Sequence, residues 1–287
     1  MLPAPFNSRI LREQRMLHNT TTLQLSERDF QKIQQFIYSY CGINLTDSKQ
    51  SLVASRLYRR VQHYKFSSYG EYFDLATRAD NGPELTLLVN ALTTNETYFF
   101  RENDHFDFLT QLLKNNRGQR AWRFWSGASS SGEEIYSLAM VASDVLGDAA
   151  DWLIHGSDLS TKVIDMARAG HYPMERNEGI GVDRLRKYCL KGVGSQDGTF
   201  IIDPKLRAHT QFSQRNLLQP DPKRTQYDII FLRNVMIYFN LQSKQLVINN
   251  VLQQLRSGGY LFISHTESLM GIQHGLQPIN SSIYRKP

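Results

Sequence analysis

From about Ala121 onward the chain alternates between short apolar runs and longer stretches with helical spacing. The apolar runs are flanked by turn and cap residues and read AWRFW, DWLIHGSD, YDIIFLRN and GGYLFISH. Between them, EEIYSLAMVASDVL and TKVIDMARAG have the periodicity of helices. This alternation predicts βαβ units and a mostly parallel α/β sheet, which binds its ligand at the carboxyl ends of the strands.

Residues 26–94 have a different pattern, that of short helices without a convincing strand. Ser26 and Asp29 fit a capping box, apolar residues follow at helical spacing, and Cys41–Gly42 is predicted to end this first helix. We therefore divide the chain into an N-terminal extension, an all-helical domain, a linker with one helix, and the α/β domain. The predicted bounds are 1–25, 26–94, 95–120 and 121–287.

Composition narrows the classes of protein. The chain has 287 residues, 41% of them hydrophobic, but no apolar run of the roughly 20 residues that cross a bilayer. It lacks the apolar block of a signal peptide, so we expect a cytoplasmic protein. The spacing of Cys41 and Cys189 suggests neither a disulfide framework nor a metal site. A net charge of +6 and a pI of about 9.2 favour an acidic partner.

The loop after the first predicted strand of the α/β domain, GASSSG, consists of small residues and precedes Glu133 and Glu134. A phosphate-binding loop would instead be followed by a lysine and a hydroxyl. Ser131 with Glu134 fits a second capping box, which leaves Glu133 without a structural role. Asp158, at the end of the next strand, suits two ribose hydroxyls or, alternatively, the cap of the following helix. Together Glu133 and Asp158 suggest a nucleoside with a cationic end, such as S-adenosylmethionine.

Six sequence blocks extend this interpretation. They are LTTNETYFFREND at 92–104, WSGASSSGEE at 125–134, GSDLS at 156–160, RNLL at 215–218, FLRNVMIYFN at 231–240 and GGYLFISHTESL at 258–269. In order and spacing the chain resembles the chemotaxis receptor methyltransferases, the CheR family, from about residue 25 onward. The first loop departs from the family pattern, since it reads Gly-Ala-Ser where Ala-Gly/Ala-Cys is more frequent.

The resemblance implies a fold, an activity and a cofactor. A helical domain would precede a Rossmann-like domain that binds S-adenosylmethionine and carries a small inserted β-subdomain, here at about 188–212. The enzyme would methylate glutamate side chains on the cytoplasmic helices of chemoreceptors and release S-adenosylhomocysteine. A glutamate is already ionised at neutral pH, so the transfer would need positioning and desolvation but no general base.

The resemblance also implies site residues. The cofactor would be covered from the linker by Asn95, Thr97 and Arg101. Its adenine edge would be bound by Asn216 and Leu217, and its methionine end would be lined by Arg233 and Asn234. The acceptor side would be closed by Tyr238. Arg101 and Tyr238 are the predicted catalytic residues, because they would position the reactants. Glu133 and Asp158 keep the roles given above.

The segment from Ser48 to Gly70 contains no acidic residue. On a helical wheel five of its basic side chains fall within an arc of about 100°, beside an apolar stripe. These side chains, which we call the basic ridge, are Lys49, Arg56, Arg59, Arg60 and His63. The ridge suits a glutamate-bearing face of a receptor helix, whereas the alternative is an ordinary solvated face.

Two other classes of function remain open. A nucleic-acid methyltransferase would share the cofactor fold, but amino-group methylation usually shows an Asn/Asp-Pro-Pro-aromatic motif where this chain reads RNVMIYF. An adaptor would bind S-adenosylmethionine without using it. We expect a monomer that binds neither nucleic acid nor the membrane interior. A receptor tail docked as an extra strand is a further possible partner, although TFII at 199–202 offers no cation for a tail carboxylate.

Overall fold

The computed structural model describes residues 23–116, 118, 121–223 and 225–287. In this part of the chain a helical domain precedes a domain built on a seven-stranded sheet, so the predicted fold class is confirmed. Residues 1–22 of the predicted extension lie outside the described residues. Leu25, which was assigned to the extension, is buried against the core of the helical domain.

The helical domain begins as the capping pattern predicted. The Oγ of Ser26 accepts a hydrogen bond from the Asp29 N–H at 3.1 Å, and the first helix ends at Gly42, whose φ of 76° favours glycine. The first helix buries Phe30, Ile33 and Ile37, and the second buries Val53, Leu57 and Val61. The helices are α1 (Glu27–Cys41), α2 (Gln50–His63), α3 (Tyr69–Ala76) and α4 (Gly82–Leu92).

The second domain begins with a helix that packs against the sheet. Its helices are α5 (Asn103–Asn115), α6 (Glu133–Leu146), α7 (Thr161–Ala169), α8 (Val182–Tyr188), α9 (Pro204–Arg207) and α10 (Leu241–Leu252). Its strands are β1 (Trp122–Gly127), β2 (Trp152–Asp158), β3 (His171–Pro173), β4 (Cys189–Lys191), β5 (Thr199–Ile202), β6 (Thr210–Gln214), β7 (Tyr227–Phe231), β8 (Leu255–Phe262), β9 (Gln277–Pro278) and β10 (Ile283–Arg285).

The main sheet has the strand order β6-β2-β1-β7-β8-β10-β9. The first five strands in this order are parallel, and the last two are antiparallel. The carboxyl ends of β1, β2, β6 and β7 therefore meet at one edge, where the loops that follow them converge. None of the described helices is both long and apolar enough to cross a membrane.

The inserted sheet differs in extent from the predicted β-subdomain at 188–212. It has three antiparallel strands in the order β3-β5-β4, so it begins at His171 and ends at Ile202. Strand β6 joins the main sheet instead, where it runs parallel to β2 with Asp158 opposite Gln214. The TFII strand, β5, is the central strand of the insert and is paired on both sides.

Candidate active site

A cleft lies between the two domains at the carboxyl edge of the main sheet, and we call it the interdomain cleft. Every predicted cofactor or catalytic residue except Glu133 lines it. The helical domain contributes an apolar wall that includes Ile43, Leu45 and Leu52. The loop after β1 also lines the cleft, and its residues Ala128 and Ser130 have φ values of 61° and 50°.

Asp158 ends β2 and is bound on both carboxylate oxygens. Its Oδ2 accepts a hydrogen bond from the Ser130 N–H and its Oδ1 from the Ser160 N–H, both at 2.9 Å. Burial raises the pKa of Asp158, although these N–H groups oppose that effect. The carboxylate is thus held rigidly at the cleft, and each oxygen keeps a lone pair for a ligand hydroxyl.

Of the two adjacent glutamates, the one predicted to bind a ligand is buried away from the cleft, and the one predicted to cap the helix lines it. Glu133 is fully buried and pairs with Arg176 and with the Ser131 hydroxyl, so its carboxylate does not face the interdomain cleft. Glu134 lines the cleft and accepts a hydrogen bond from Ser126 Oγ at 2.7 Å. The predicted capping box between Ser131 and Glu134 is absent because Gly132, with a φ of 97°, is the residue that caps α6. Burial raises the pKa of Glu133, against the effects of Ser131 and Arg176.

Arg233 is almost completely buried and organises the floor of the cleft. Its Nε lies 2.9 Å from Glu134 Oε2, and its Nη1 lies 3.8 Å from Glu102 Oε2. It also donates hydrogen bonds to His105 Nδ1 at 2.9 Å and to the Arg101 carbonyl at 2.6 Å. The guanidinium is therefore neutralised by carboxylates and held in one orientation.

His105 lies behind Arg233 as a neutral side chain. Burial and the Arg233 cation lower the pKa of His105 to about 4. Glu102, His105 and His265 bring possible metal ligands within 4.8 Å of one another. However, the Arg233 guanidinium donates to the Nδ1 lone pair of His105, and a metal ion at that nitrogen would need the same lone pair.

Linker residues also line the cleft. Asn95 accepts a hydrogen bond on its carbonyl from Ser130 Oγ at 2.9 Å, which ties the linker to the loop after β1. Thr97 lies beside it on the cleft surface. The Arg101 guanidinium stacks over the Tyr98 ring at 5.4 Å and donates to the Glu96 carbonyl at 3.3 Å.

Asn216 lines the cleft, and its amide also bonds within the protein. Its Nδ2 donates to the Tyr40 carbonyl at 2.6 Å, and its Oδ1 accepts from the Leu218 N–H at 3.0 Å. The amide therefore joins the helical domain to the loop after β6, and its second N–H and second carbonyl lone pair remain for a ligand. Leu217, which follows it, lines the cleft as predicted for the adenine end.

The loop after β7 closes the remaining side of the cleft with Asn234 and Tyr238. Asn234 has a φ of 57°, and the Tyr238 carbonyl accepts a hydrogen bond from the Asn44 N–H at 2.8 Å. A β-bridge joins Ile43 to Phe239 in the same place. The helical domain is thus attached directly to the loop that carries Tyr238.

The structure divides the basic ridge. Arg60 forms a two-pronged ion pair with the buried Glu84, at 2.8 and 2.6 Å, and Arg56 donates to the Leu92 and Thr93 carbonyls. These two cations therefore serve contacts within the helical domain, because α4 packs against the face of α2 that carries them. The ridge residues that remain exposed are Lys49, Arg59 and His63, and Lys49 and Arg56 also line the interdomain cleft.

Two family models together match nearly all of the described chain. The CheR methyltransferase all-alpha domain matches residues 28–93, and the CheR methyltransferase SAM binding domain matches residues 95–285. The chain belongs to the CheR methyltransferase family. It is similar to the chemotaxis protein methyltransferase of Escherichia coli K12, with 34% identity over 275 residues that cover 94% of each chain. It is also similar to chemotaxis protein methyltransferase 2 of Pseudomonas aeruginosa PAO1, with 38% identity over 263 residues, 90% of this chain and 93% of that one.

Membership of the CheR family makes the chain a chemotaxis protein methyltransferase that depends on S-adenosylmethionine. The residues in the cleft suit that cofactor, since Asp158 offers fixed acceptor oxygens and Glu134 a carboxylate. Sequence reasoning missed Glu134, Arg215 and the apolar wall from the helical domain, all of which line the cleft. Glu134 and Arg215 do stand in the blocks WSGASSSGEE and RNLL, but periodicity gave no reason to select them.

Proposed function

We propose that the chain transfers the methyl group of S-adenosylmethionine to the side-chain carboxylate of glutamates on the cytoplasmic helices of chemoreceptors. The products would be a glutamate γ-methyl ester and S-adenosylhomocysteine. The enzyme would act in the cytoplasm as a monomer. The observation that carries this proposal is the chemistry of the interdomain cleft, whose described lining residues combine an excess of cations with the lack of a histidine.

The charges on the cleft favour an anionic acceptor. Arg233 and Glu134 form a pair, which leaves more cations than carboxylates among the other lining residues. Arg215 pairs with Asp221 at 3.9 Å, so the remaining cations are Lys49, Arg56 and Arg101, and the carboxylates are Glu96 and Asp158. A carboxylate that enters this field is attracted, whereas a protonated amine is repelled.

Among its described lining residues, the same cleft offers neither an imidazole nor a thiolate as a proton acceptor. Among the described lining residues there is no histidine. Burial raises the pKa of the Cys41 thiol to about 11, so it stays protonated near neutral pH. An amine or hydroxyl acceptor would have to lose a proton, but a glutamate, with a pKa of about 4.3, is already ionised. The leaving thioether needs no acid.

The remaining requirement is to align the reactants. Glu134 would bind the ammonium group of the methionine end, Asp158 the ribose hydroxyls, and Leu217 with the apolar wall of the helical domain the adenine ring. Arg101 and Tyr238, which enter from the linker and from the loop after β7, would hold the acceptor carboxylate and the methyl group in line. Exclusion of water from the closed cleft strengthens these contacts.

The exposed part of the basic ridge would guide the receptor to the cleft. Lys49 belongs to both the basic ridge and the lining of the cleft, and the ridge continues from it along α2 with Arg59 and His63. A receptor helix with glutamates on one face would find complementary charge along this line.

The test is incubation of the purified chain with methyl-labelled S-adenosylmethionine and a purified chemoreceptor signalling domain. Alkaline treatment of the labelled product should release volatile methanol, because an ester is hydrolysed and an N-methyl or S-methyl group is not. A receptor domain with glutamine at the acceptor positions should take up no label. Alkali-stable label would contradict the ester, and label in nucleic acid but not in protein would favour a nucleic-acid methyltransferase. Cofactor binding without transfer to any acceptor would favour the adaptor.

A further inference from the structure

Glu267 is a buried acid outside the interdomain cleft that follows β8 and is only 8% exposed. Its Oε2 accepts hydrogen bonds from the Ser264 N–H at 2.9 Å and the Asn234 N–H at 3.0 Å. Its Oε1 accepts from the Met236 N–H at 2.8 Å. The carboxylate thus binds the backbone of two separate segments of the chain.

Two of these N–H groups belong to the loop after β7, which carries Arg233, Asn234 and Tyr238 into the cleft. This loop contains a left-handed residue at Asn234 and a single turn of 3₁₀ helix at Met236–Tyr238. Among the residues that the structure describes, this loop has no strand partner across this stretch except the bridge of Phe239 to the helical domain. Its conformation on the sheet side therefore depends on side-chain contacts.

A second contact reinforces the first. The Asn234 Nδ2 donates to Ser264 Oγ at 2.8 Å, and Ser264 Oγ donates to Glu102 Oε1 at 2.6 Å. Glu102 precedes α5 and faces Arg233. Ser264 and Glu267 together connect the turn after β8 to the loop after β7 and to the start of α5.

From this geometry we infer that Glu267 is a positioning residue for methyl transfer: its carboxylate holds the loop after β7 so that Asn234 and Tyr238 face the cleft. The inference rests on the proposed function, since it assigns Tyr238 to the acceptor side. A carboxylate is needed because it is acceptor-only and has two oxygens for N–H groups from different directions. A glutamine can accept from the Ser264 and Asn234 N–H groups with its oxygen. Its NH₂ group would then face the Met236 N–H, and two donors cannot form a hydrogen bond with each other.

The decisive variant is Glu267→Gln, compared with Glu71→Gln as a matched control. Glu71 also accepts from a backbone N–H, that of Ser67 at 2.8 Å, but it lies in the first turn of α3 and does not line the cleft. Hydrogen exchange of the Met236 amide, the single-turnover rate of methyl transfer to the receptor domain and the affinity for S-adenosylhomocysteine are measured in both variants.

In Glu267→Gln we expect faster exchange at Met236 and a transfer rate lower by about tenfold, since a small misplacement of reactants has a large effect on rate. Because Asn234 is expected at the methionine end of the cofactor, the affinity for S-adenosylhomocysteine should fall as well, but by less than about threefold, a difference below 1 kcal/mol. Glu71→Gln should match the parent chain in all three. If Glu267→Gln does not fold, Glu267→Asp, which keeps the charge but is one methylene shorter, is used with the same expectations.

An unchanged transfer rate in a folded variant, or equal losses of rate and affinity, would overturn the inference. Unchanged exchange at Met236 would overturn it as well. If the parent chain itself transfers no methyl group to the receptor domain, the proposed function fails, while the exchange comparison still decides whether Glu267 holds the loop.

Discussion

The adjacent acids Glu133 and Glu134 provide a matched pair of substitutions with different expected effects. Glu134 lines the interdomain cleft, whereas Glu133 is fully buried against Ser131 and Arg176. We therefore expect Glu134→Gln to weaken cofactor binding, with some loss of stability because Glu134 also pairs with the buried Arg233. We expect Glu133→Gln to reduce the free energy of unfolding without weakening cofactor binding. Both changes remove one charge and keep the side-chain shape, so the comparison isolates position.

The magnitudes follow from the contacts. In Glu134→Gln the ammonium of the cofactor would lose a charge-assisted hydrogen bond of about 1.5–3 kcal/mol, equivalent to a roughly 10- to 150-fold rise in Kd. In Glu133→Gln the amide oxygen can still accept one bond, and Arg176, 40% exposed, can be hydrated. The loss of unfolding free energy should then be about 1–2 kcal/mol, with little change in Kd.

Calorimetric titration with S-adenosylhomocysteine measures the first effect, and urea unfolding of the ligand-free protein measures the second. The two measurements are independent, so a weakened fold cannot be mistaken for a weakened site. A tenfold loss of affinity in Glu133→Gln together with full affinity in Glu134→Gln would refute the placement of these two carboxylates.

Three further predictions concern the cofactor, the receptor and acid stability. Asp158→Ala should raise the Kd of S-adenosylmethionine at least about tenfold, and unchanged affinity by calorimetry would remove the ribose assignment. Arg59→Glu with His63→Glu should slow receptor methylation at low salt while cofactor affinity stays constant, and equal rates across ionic strengths would exclude this surface as a docking site. Burial alone would raise the pKa of Glu84, but its bonds, chiefly from Arg60, lower it below its ordinary value of 4.5. The stability that Glu84 contributes is thus present above that value and is lost as the pH falls through the folded-state pKa. The Glu84→Gln variant should therefore lose less stability under acid than the parent chain does, as measured by urea unfolding at several pH values.

The order of elements was readable from the sequence because periodicity is a local property. The capping residue Ser26 and the C-terminal Gly42 marked α1, and alternation marked the parallel strands. The loop after β1 could not be read in the same way. Left-handed residues at Ser130 and Gly132 shift the start of α6, so the choice between two adjacent glutamates depended on backbone angles that residue types alone did not reveal.

Contacts between residues that are distant in the sequence could not be predicted either. A helical wheel places Arg60 on a basic face, but it does not contain Glu84, which reaches Arg60 from α4. The amide of Asn216 likewise had the right donor and acceptor for adenine, yet it binds the Tyr40 carbonyl across the domain boundary. In both cases a side chain assigned to a ligand or partner forms a hydrogen bond within the protein. Only tertiary packing decides which neighbour is close enough to form that bond.

The most direct test of the carboxylate acceptor is the pH dependence of single-turnover methylation of the receptor domain. Because a glutamate needs no general base, the rate constant should be constant from about pH 6 to 8. His265, which bonds Asp104 outside the cleft, and the buried His105 should contribute no limb to the profile. Tyr238→Phe should lower the rate through lost positioning and keep the profile flat. A limb near pH 7 that disappears in a histidine variant would show that a base removes a proton from the acceptor, and would contradict methyl transfer to a carboxylate.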